Sequence, residues 1–251
     1  TLGQLCLQKG EAKCTYGTGA FLVVNTGEHI YRSNAGLLST LAWTNSEGTP
    51  TYCLEGSLFN AGTVIQWLRD GLKLFTESDE INSLAEEVND AAGVMLVPAF
   101  TGWGTPHWDP SARGLLIGLT RDSCKGHIAR AALEGIALSV STLVELAEES
   151  IGQPLGELAV DGGAAASNLL LQAQANSTGL TIRRPISLES TARGVALLAG
   201  MQAGVVADIN QLVSDRALGA TYFKSNIDPQ TRSHWRTRWD QAVNRSLYWH
   251  E

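Results

Sequence analysis

The chain has 251 residues, 44% hydrophobic and 17% charged, enough for one large domain or two small ones with a sizeable core. Eighteen Lys and Arg against 25 Asp and Glu give a formal net charge of −7, which argues against general nucleic-acid binding. Apolar stretches are short and interrupted, residues 1–15 lack a signal-peptide pattern, and four cysteines without CxxC spacing read as reduced thiols, so a membrane span, secretion and a disulfide framework are not expected.

The chain enters at Thr1 in what reads as mid-helix, so it is expected to be part of a longer protein. Leu2, Leu5, Cys6 and Gln8 at helical spacing predict a helix over 2–9, ended by Gly10. Residues 18–25 predict a strand closed by the turn Thr26-Gly27. Strands follow at 37–44 and 51–55, separated by the turn-like TNSEGTP, and three in succession suggest an antiparallel meander at a sheet edge. Leu58, Ala61, Val64, Ile65 and Leu68 predict a helix over 57–74, and a more acidic helix covers 79–89. The run GVMLVPAF (93–100) predicts a strand buried on both faces, and TGWGTPHWDPSARG (101–114) a loop pinned by Trp103, His107 and Trp108.

The longest helix is expected over 127–150. Then LGELAVDGGAAASN reads as a strand entering a Gly-Gly turn and a helix that runs to about Ser177, closed by Gly179. TIRRPI is a strand ended by Pro185, residues 190–204 a small-residue helix that packs closely, and 229–249 the final helix; the basic stretch of the tail, Lys224, Arg232, Arg236, Arg238 and Arg245, reads as a solvated helix face. Helices alternating with buried strands predict one α/β domain with a mixed sheet.

Two glycine turns and one helix carry the candidate chemistry. Tyr16-Gly17-Thr18-Gly19 is either a plain hairpin turn or a phosphate loop in which Gly17 and Gly19 take positive φ and turn amides outward. Asp161-Gly162-Gly163-Ala164 ends a strand, where open α/β sheets bind ligands, and the following helix would aim its N-terminus the same way; a tight structural turn is the alternative. Gly62 and Gln66 lie one helical turn apart, suited to a ribose or phosphate or simply to packing. Glu134 inside the long helix is a structural or a catalytic carboxylate. The five histidines have no metal-ligand spacing, and no Ser-His-Asp or Cys-His set is indicated.

Taken in order, TYGTGAFLVVNTGE, LEGSLFNAGTVIQWLRD, VPAFTGWGTPHWDPSARGLLIGLT, HIARAALEGIA and VDGGAAASNLLLQ resemble the FGGY carbohydrate kinases, and within them the glycerol kinases. Gly114, Gly118-Leu119, His127-Ile128 and Ala131 to Glu134 also match that family's second signature. The resemblance spans nearly all of residues 1–251 and concerns the family's C-terminal, nucleotide-binding domain. It implies an actin-like, ribonuclease-H-type ATPase fold with a mixed sheet flanked by helices. It also implies ATP with Mg²⁺ as cofactors, and transfer of the γ-phosphate to glycerol to give sn-glycerol 3-phosphate in the cytoplasm.

The same resemblance assigns nucleotide contacts to Gly17, Thr18 and Gly19 at the phosphates, to Gly62 and Gln66, and to Gly162 and Gly163 against the adenosine, with Phe21 touching the glycerol carbons. The family has Asn where this chain has Ser167, with Asn168 next, so adenine contact falls to Ser167 or Asn168. Trp103, His107 and Ser111 also depart from the family's loop. Its catalytic base, an Asp in a GDQQAA-type stretch, would precede Thr1, in a substrate-binding N-terminal domain that would be this domain's partner. The chain alone is therefore expected to bind ATP or ADP weakly and to phosphorylate nothing. A homo-oligomer is left open. The alternatives are a family kinase acting on another polyol or sugar, and an actin-like ATPase scaffold.

Overall fold

Five residues that carry no strand prediction, Ala12–Tyr16, form β1, in which Ala12, Cys14 and Tyr16 are buried alternately with half-exposed Lys13 and Thr15. A computed structural model describes residues 1–45 and 47–249. Strand β1 turns back through residues 17–19 into β2 (Ala20–Gly27). Strands β3 (Leu38–Thr44) and β4 (Pro50–Leu58) follow, and Ser46, within the predicted turn between them, lies outside the described residues.

These strands are not a meander. Strand β4 inserts between β2 and β3, and both pairings are antiparallel. Side chains decide the order: β4 buries Cys53, Leu54 and Leu58, whereas β3 leaves Leu38 and Leu41 exposed and takes the edge. The β2–β4 ladder continues to the Ala20–Leu58 pair, so the helix expected from residue 57 begins only at Gly62. This α1 (Gly62–Gln66) widens into a π-helical turn over Trp67–Gly71. Next comes α2 (Glu80–Glu86).

Strand β5 (Met95–Val97) is buried as expected but stays outside the main sheet, pairing antiparallel with β6 (Leu115–Ile117). Helix α3 (Lys125–Ile151) is the long core helix. It is the one described helix long and apolar enough to cross a membrane, and 78% of its most apolar window is buried inside the fold. The remaining elements are β7 (Glu157–Asp161), α4 (Asn168–Thr178, closed by Gly179 at φ 79°), β8 (Thr181–Arg184), α5 (Ser190–Gln202), α6 (Ile209–Asp215), β9 (Thr221–Phe223) and α7 (Pro229–Ser246). Neither α6 nor β9 has a sequence prediction.

The main sheet runs β3-β4-β2-β1-β7-β8-β9. The β1–β7 and β7–β8 pairs are parallel and the others antiparallel. The predicted helix over 2–9 is instead a 3-10 turn, Leu2–Gln4, because Leu5 takes a left-handed conformation at φ 56°. Gly3 of that turn lies so close to α5 that a Cβ would overlap the Ser190 carbonyl, which explains the small residues at the start of α5.

A buried polar chain fixes β1 against the helices. The Tyr16 hydroxyl donates to Gln174 Oε1 at 2.5 Å, Gln174 Nε2 donates to Ser141 Oγ at 3.1 Å, and Ser141 Oγ donates to Ser177 Oγ at 2.6 Å. Burial raises the Tyr16 phenol well above its usual range, so it remains a donor. Cys6, Cys14 and Cys53 are buried, and burial pushes the first two thiols up to about 11 and about 12; only Cys124 is exposed.

Two outcomes test this packing. A thiol-specific disulfide reagent at pH 8 should titrate one cysteine natively and four in denaturant; rapid native reaction of a second thiol would mean the core differs. Gly135 sits in α3 where a Cβ would overlap the Leu96 carbonyl of β5. Gly135→Ala gains about 1 kcal/mol of helix propensity, but backbone overlap costs more, so a net loss of about 2 kcal/mol and a Tm lower by roughly 4–8 °C are expected by calorimetry. An unchanged Tm would disprove the close approach.

Candidate functional site

The β1–β2 turn is a three-residue loop held from two sides. Across its neck the Gly17 amide donates to the Gly19 carbonyl at 2.9 Å. On its far side the amides of Ala61 and Thr63 donate to Thr18 O at 2.9 and 3.2 Å, and the Gly62 amide donates to Gly17 O at 2.9 Å. The first amides of α1, which lack helical acceptors, thereby satisfy the turn's carbonyls. Among the described residues the Thr18 amide meets no acceptor, and Thr18 is exposed.

Neither Gly17 nor Gly19 has positive φ, contrary to expectation. At Gly19 and at Gly62 it is the missing Cβ that matters. At Gly19 a Cβ would overlap the Leu58 carbonyl, and at Gly62 it would stand 2.5 Å from Gly17 O. At Gly17 a Cβ would meet only Gly19 O at 3.9 Å.

The second turn leaves β7 beside the first. Gly162 has φ 86°, and a Cβ there would lie 2.5 Å from Tyr16 O. Gly163 opens a 3-10 turn, Gly163–Ala166, so α4 starts four residues later than a direct Gly-Gly-to-helix junction would place it. Ser167 caps α4 by accepting from the Leu170 amide at 3.1 Å and donates its proton to Asn82 Oδ1.

Between these turns lies a cleft of about 470 Å³. Of the predicted residues, Gly17, Thr18, Gly62, Gln66, Gly163 and Ser167 line it. Gly19 and Gly162 do not; both are spent on backbone packing behind the lining. Asn168 is exposed on the first turn of α4, outside the lining, and Phe21 lies along β2, 39% exposed, opposite Thr15. Ser78, Asp79 and Asn82 form the wall that the sequence reading missed. The acidic-helix signal over 79–89 covered Asp79 and Asn82, Ser78 lies just before it, and an Asp just before a helix reads as a cap.

Among the described residues no Lys or Arg lines the cleft. What it offers is bare backbone at Gly17 and Gly163, the Thr18 amide and hydroxyl, and the Gln66 amide group. A Cβ at Gly163 would meet no atom within 4 Å, so the backbone there faces open space. Such a cradle suits a flat ring or a phosphate approaching the main chain.

The other candidates lie elsewhere. Glu134 accepts from Arg130 Nε at 3.0 Å, and burial raises its carboxyl above the usual range against the pull of that arginine. Trp103 is buried against Trp239, and Trp108 Nε1 donates to Gly36 O at 2.9 Å, so both pin the 101–114 loop. Burial lowers the His107 imidazole in the same loop. Among the described residues no group of three His, Cys, Asp or Glu is placed to hold a metal.

Comparison with known proteins agrees with this geometry. Residues 12–203 match the C-terminal domain of the FGGY family of carbohydrate kinases. The chain belongs to the FGGY family. Its mixed sheet flanked by helices is the actin-like, ribonuclease-H-like ATPase architecture of FGGY kinases. A glycerol kinase of Dechloromonas aromatica is 48% identical over 253 residues, and one of Carboxydothermus hydrogenoformans 46% over 247, covering 99% and 98% of this chain and 49% of each relative. The crystal structure of Plasmodium falciparum glycerol kinase with ADP superposes with a TM-score of 0.91 at 34% identity, over 98% of this chain and 49% of that one. A ligand-bound xylulose kinase from Lactobacillus acidophilus, 20% identical with a TM-score of 0.79, shares the fold. The chain thus spans about half the length of the curated relatives it matches.

The two glycines of the second turn should behave oppositely when changed to alanine. Gly162→Ala meets both positive φ and the Tyr16 backbone and should lose about 1–3 kcal/mol. Gly163→Ala should stay within about 0.5 kcal/mol. Thermal melts of the two variants decide it, and equal Tm values would contradict the geometry.

Proposed function

We propose that this cleft binds the nucleotide of a glycerol kinase, and that the chain is the nucleotide-binding half of an enzyme converting ATP and glycerol to ADP and sn-glycerol 3-phosphate. The convergence of the Gly17–Thr18 turn, Gly62 at the start of α1 and Gly163 after β7 on one cleft carries the reading. Glycerol as acceptor rests on relatives 46–48% identical that are glycerol kinases, and ADP on the likeness to one crystallised with it.

In this reading the Thr18 amide and hydroxyl donate to the terminal phosphates, while Gly17 and Gly163 let the nucleotide lie against the main chain. Gln66 supplies a side-chain amide from α1, and Phe21 packs on the glycerol carbons. Mg²⁺ bound to the phosphate oxygens would neutralise charge there, since the lining has no cation of its own. Ser167 is committed to the α4 cap and to Asn82, so it supports the adenine end through position rather than a free hydroxyl. The general base, the remaining glycerol contacts and the closure that excludes water come from the partner N-terminal half. The whole enzyme is a soluble cytoplasmic kinase.

Two measurements test this. Calorimetric titration of MgADP into the chain should show saturable binding that Thr18→Ala/Gly163→Val abolishes, whereas phosphorylation of glycerol by the chain alone should stay at blank. A variant that binds like wild type would remove the cleft from the mechanism. The full-length protein should phosphorylate glycerol and favour it over xylulose and gluconate; preference for a sugar would sink the acceptor assignment.

A further inference from the structure

Asp79 is the one charged side chain among the described residues that line the cleft. It stands immediately before α2, where an aspartate ordinarily accepts from the first helical amides and stabilises the helix by about 1 kcal/mol. Here it does not, because its backbone is already helical (φ −75°, ψ −21°) and its side chain makes no capping bond. Its carboxylate is exposed and has no hydrogen-bond or ion-pair partner among the described residues. A residue with an unpartnered carboxylate therefore lines a cleft whose other lining residues are uncharged.

The support beneath it is fixed. Asn82, one turn on, donates from Nδ2 to Asp79 O at 3.0 Å, and its Oδ1 accepts from the Ser167 hydroxyl. Ser167 in turn caps α4. The Asp79 backbone is thus tied through one side chain to the opposite wall, which holds the carboxylate's base in place before any ligand arrives.

A nucleotide brings negative phosphates and neutral donors. Phosphates beside Asp79 would meet like charge, with no Lys or Arg among the described lining residues to offset it. They belong at the Thr18 end, where the Thr18 amide has no acceptor among the described residues. The group left for a carboxylate is a pair of neighbouring hydroxyls, which its two oxygens can accept side by side, as an acidic residue does toward ribose in dinucleotide sites. We infer that Asp79 accepts hydrogen bonds from the ribose 2′- and 3′-hydroxyls and makes this cleft selective for ribonucleotides over deoxyribonucleotides. The inference rests on the nucleotide reading of the cleft and adds its sugar specificity.

The test is calorimetric titration of ADP and 2′-deoxy-ADP into the wild-type chain, Asp79→Asn and Glu77→Gln, each with Mg²⁺ and again in EDTA. Glu77 is an exposed acid two residues away, outside the lining, and controls for a general change in charge. Wild type and Glu77→Gln should prefer ADP about tenfold, the order expected for a hydrogen bond to a charged group. Asp79→Asn should weaken ADP by about tenfold or more and 2′-deoxy-ADP less, since the latter has only its 3′-hydroxyl contact to lose, and so narrow the ADP preference, with or without Mg²⁺. An Asp79→Asn variant that keeps the ADP preference overturns the inference and leaves the nucleotide reading standing. A loss confined to Mg²⁺-containing buffer also overturns it, by making Asp79 a cation ligand. Wild type binding neither nucleotide overturns both. Because Asp79 is exposed and caps nothing, matching Tm values will show that the variant remains folded.

Discussion

Because Thr15 of β1 stands beside Asp161 of β7 in parallel register, the two strands end at the same level, and their glycine turns emerge next to one another. Everything at the cleft follows from that pairing. Thr15 Oγ1 donates to Asp161 Oδ1 at 2.5 Å across it, and Gly162 lies flat on the Tyr16 backbone where any side chain would collide. The Tyr16–Gln174–Ser141 chain anchors the same strand end to α4 and α3. A slip of one residue would reverse every side chain of β1, exposing Cys14 and Tyr16 and burying Lys13. The register is therefore set by the core, and the cleft inherits it.

The second wall depends on a different economy. Helix α1 is only five residues long, too short to be stable by its own propensity. Its unsatisfied amides find the carbonyls of Gly17 and Thr18, so helix and turn complete each other's hydrogen bonding. With those carbonyls engaged, the Thr18 amide is left without an acceptor among the described residues. A hairpin turn and a phosphate loop are thus compatible readings of the same four residues. The turn's geometry comes from β1, β2 and α1 together, and none of them imposes it alone.

The alternation of buried strands with helices was legible in the sequence, and so were the two glycine turns, since apolar runs and Gly pairs are local signals. Strand β1 was hidden because Lys13 and Thr15 dilute a five-residue stretch. The order of β4 and β3, the separate β5–β6 pair and the late start of α1 depend on which strand buries its side chains against α3, a long-range competition that no window reports. Gly19 was found as a glycine for the wrong reason, positive φ rather than the approach of the Leu58 carbonyl, and at Gly17 neither φ nor a close neighbour requires a glycine. The Ser78–Asn82 wall was invisible because a polar stretch before a helix looks like any helix start.

The cleft's lack of cations then becomes intelligible. A lysine or arginine in the lining would attract a phosphate strongly, but it would also have to be ordered and partly stripped of water when no ligand is bound. Backbone amides held by the β1–β7 and α1 contacts carry no such cost, because folding has already oriented them. Their individual attraction is weaker than that of a full charge, so the balance depends on rigidity. The many close backbone approaches around the turns, at Gly19, Gly62 and Gly162, supply it: each removes a side chain so that two main-chain segments can meet directly. The same glycines that look like flexible positions in the sequence are held between neighbouring backbone segments in the fold.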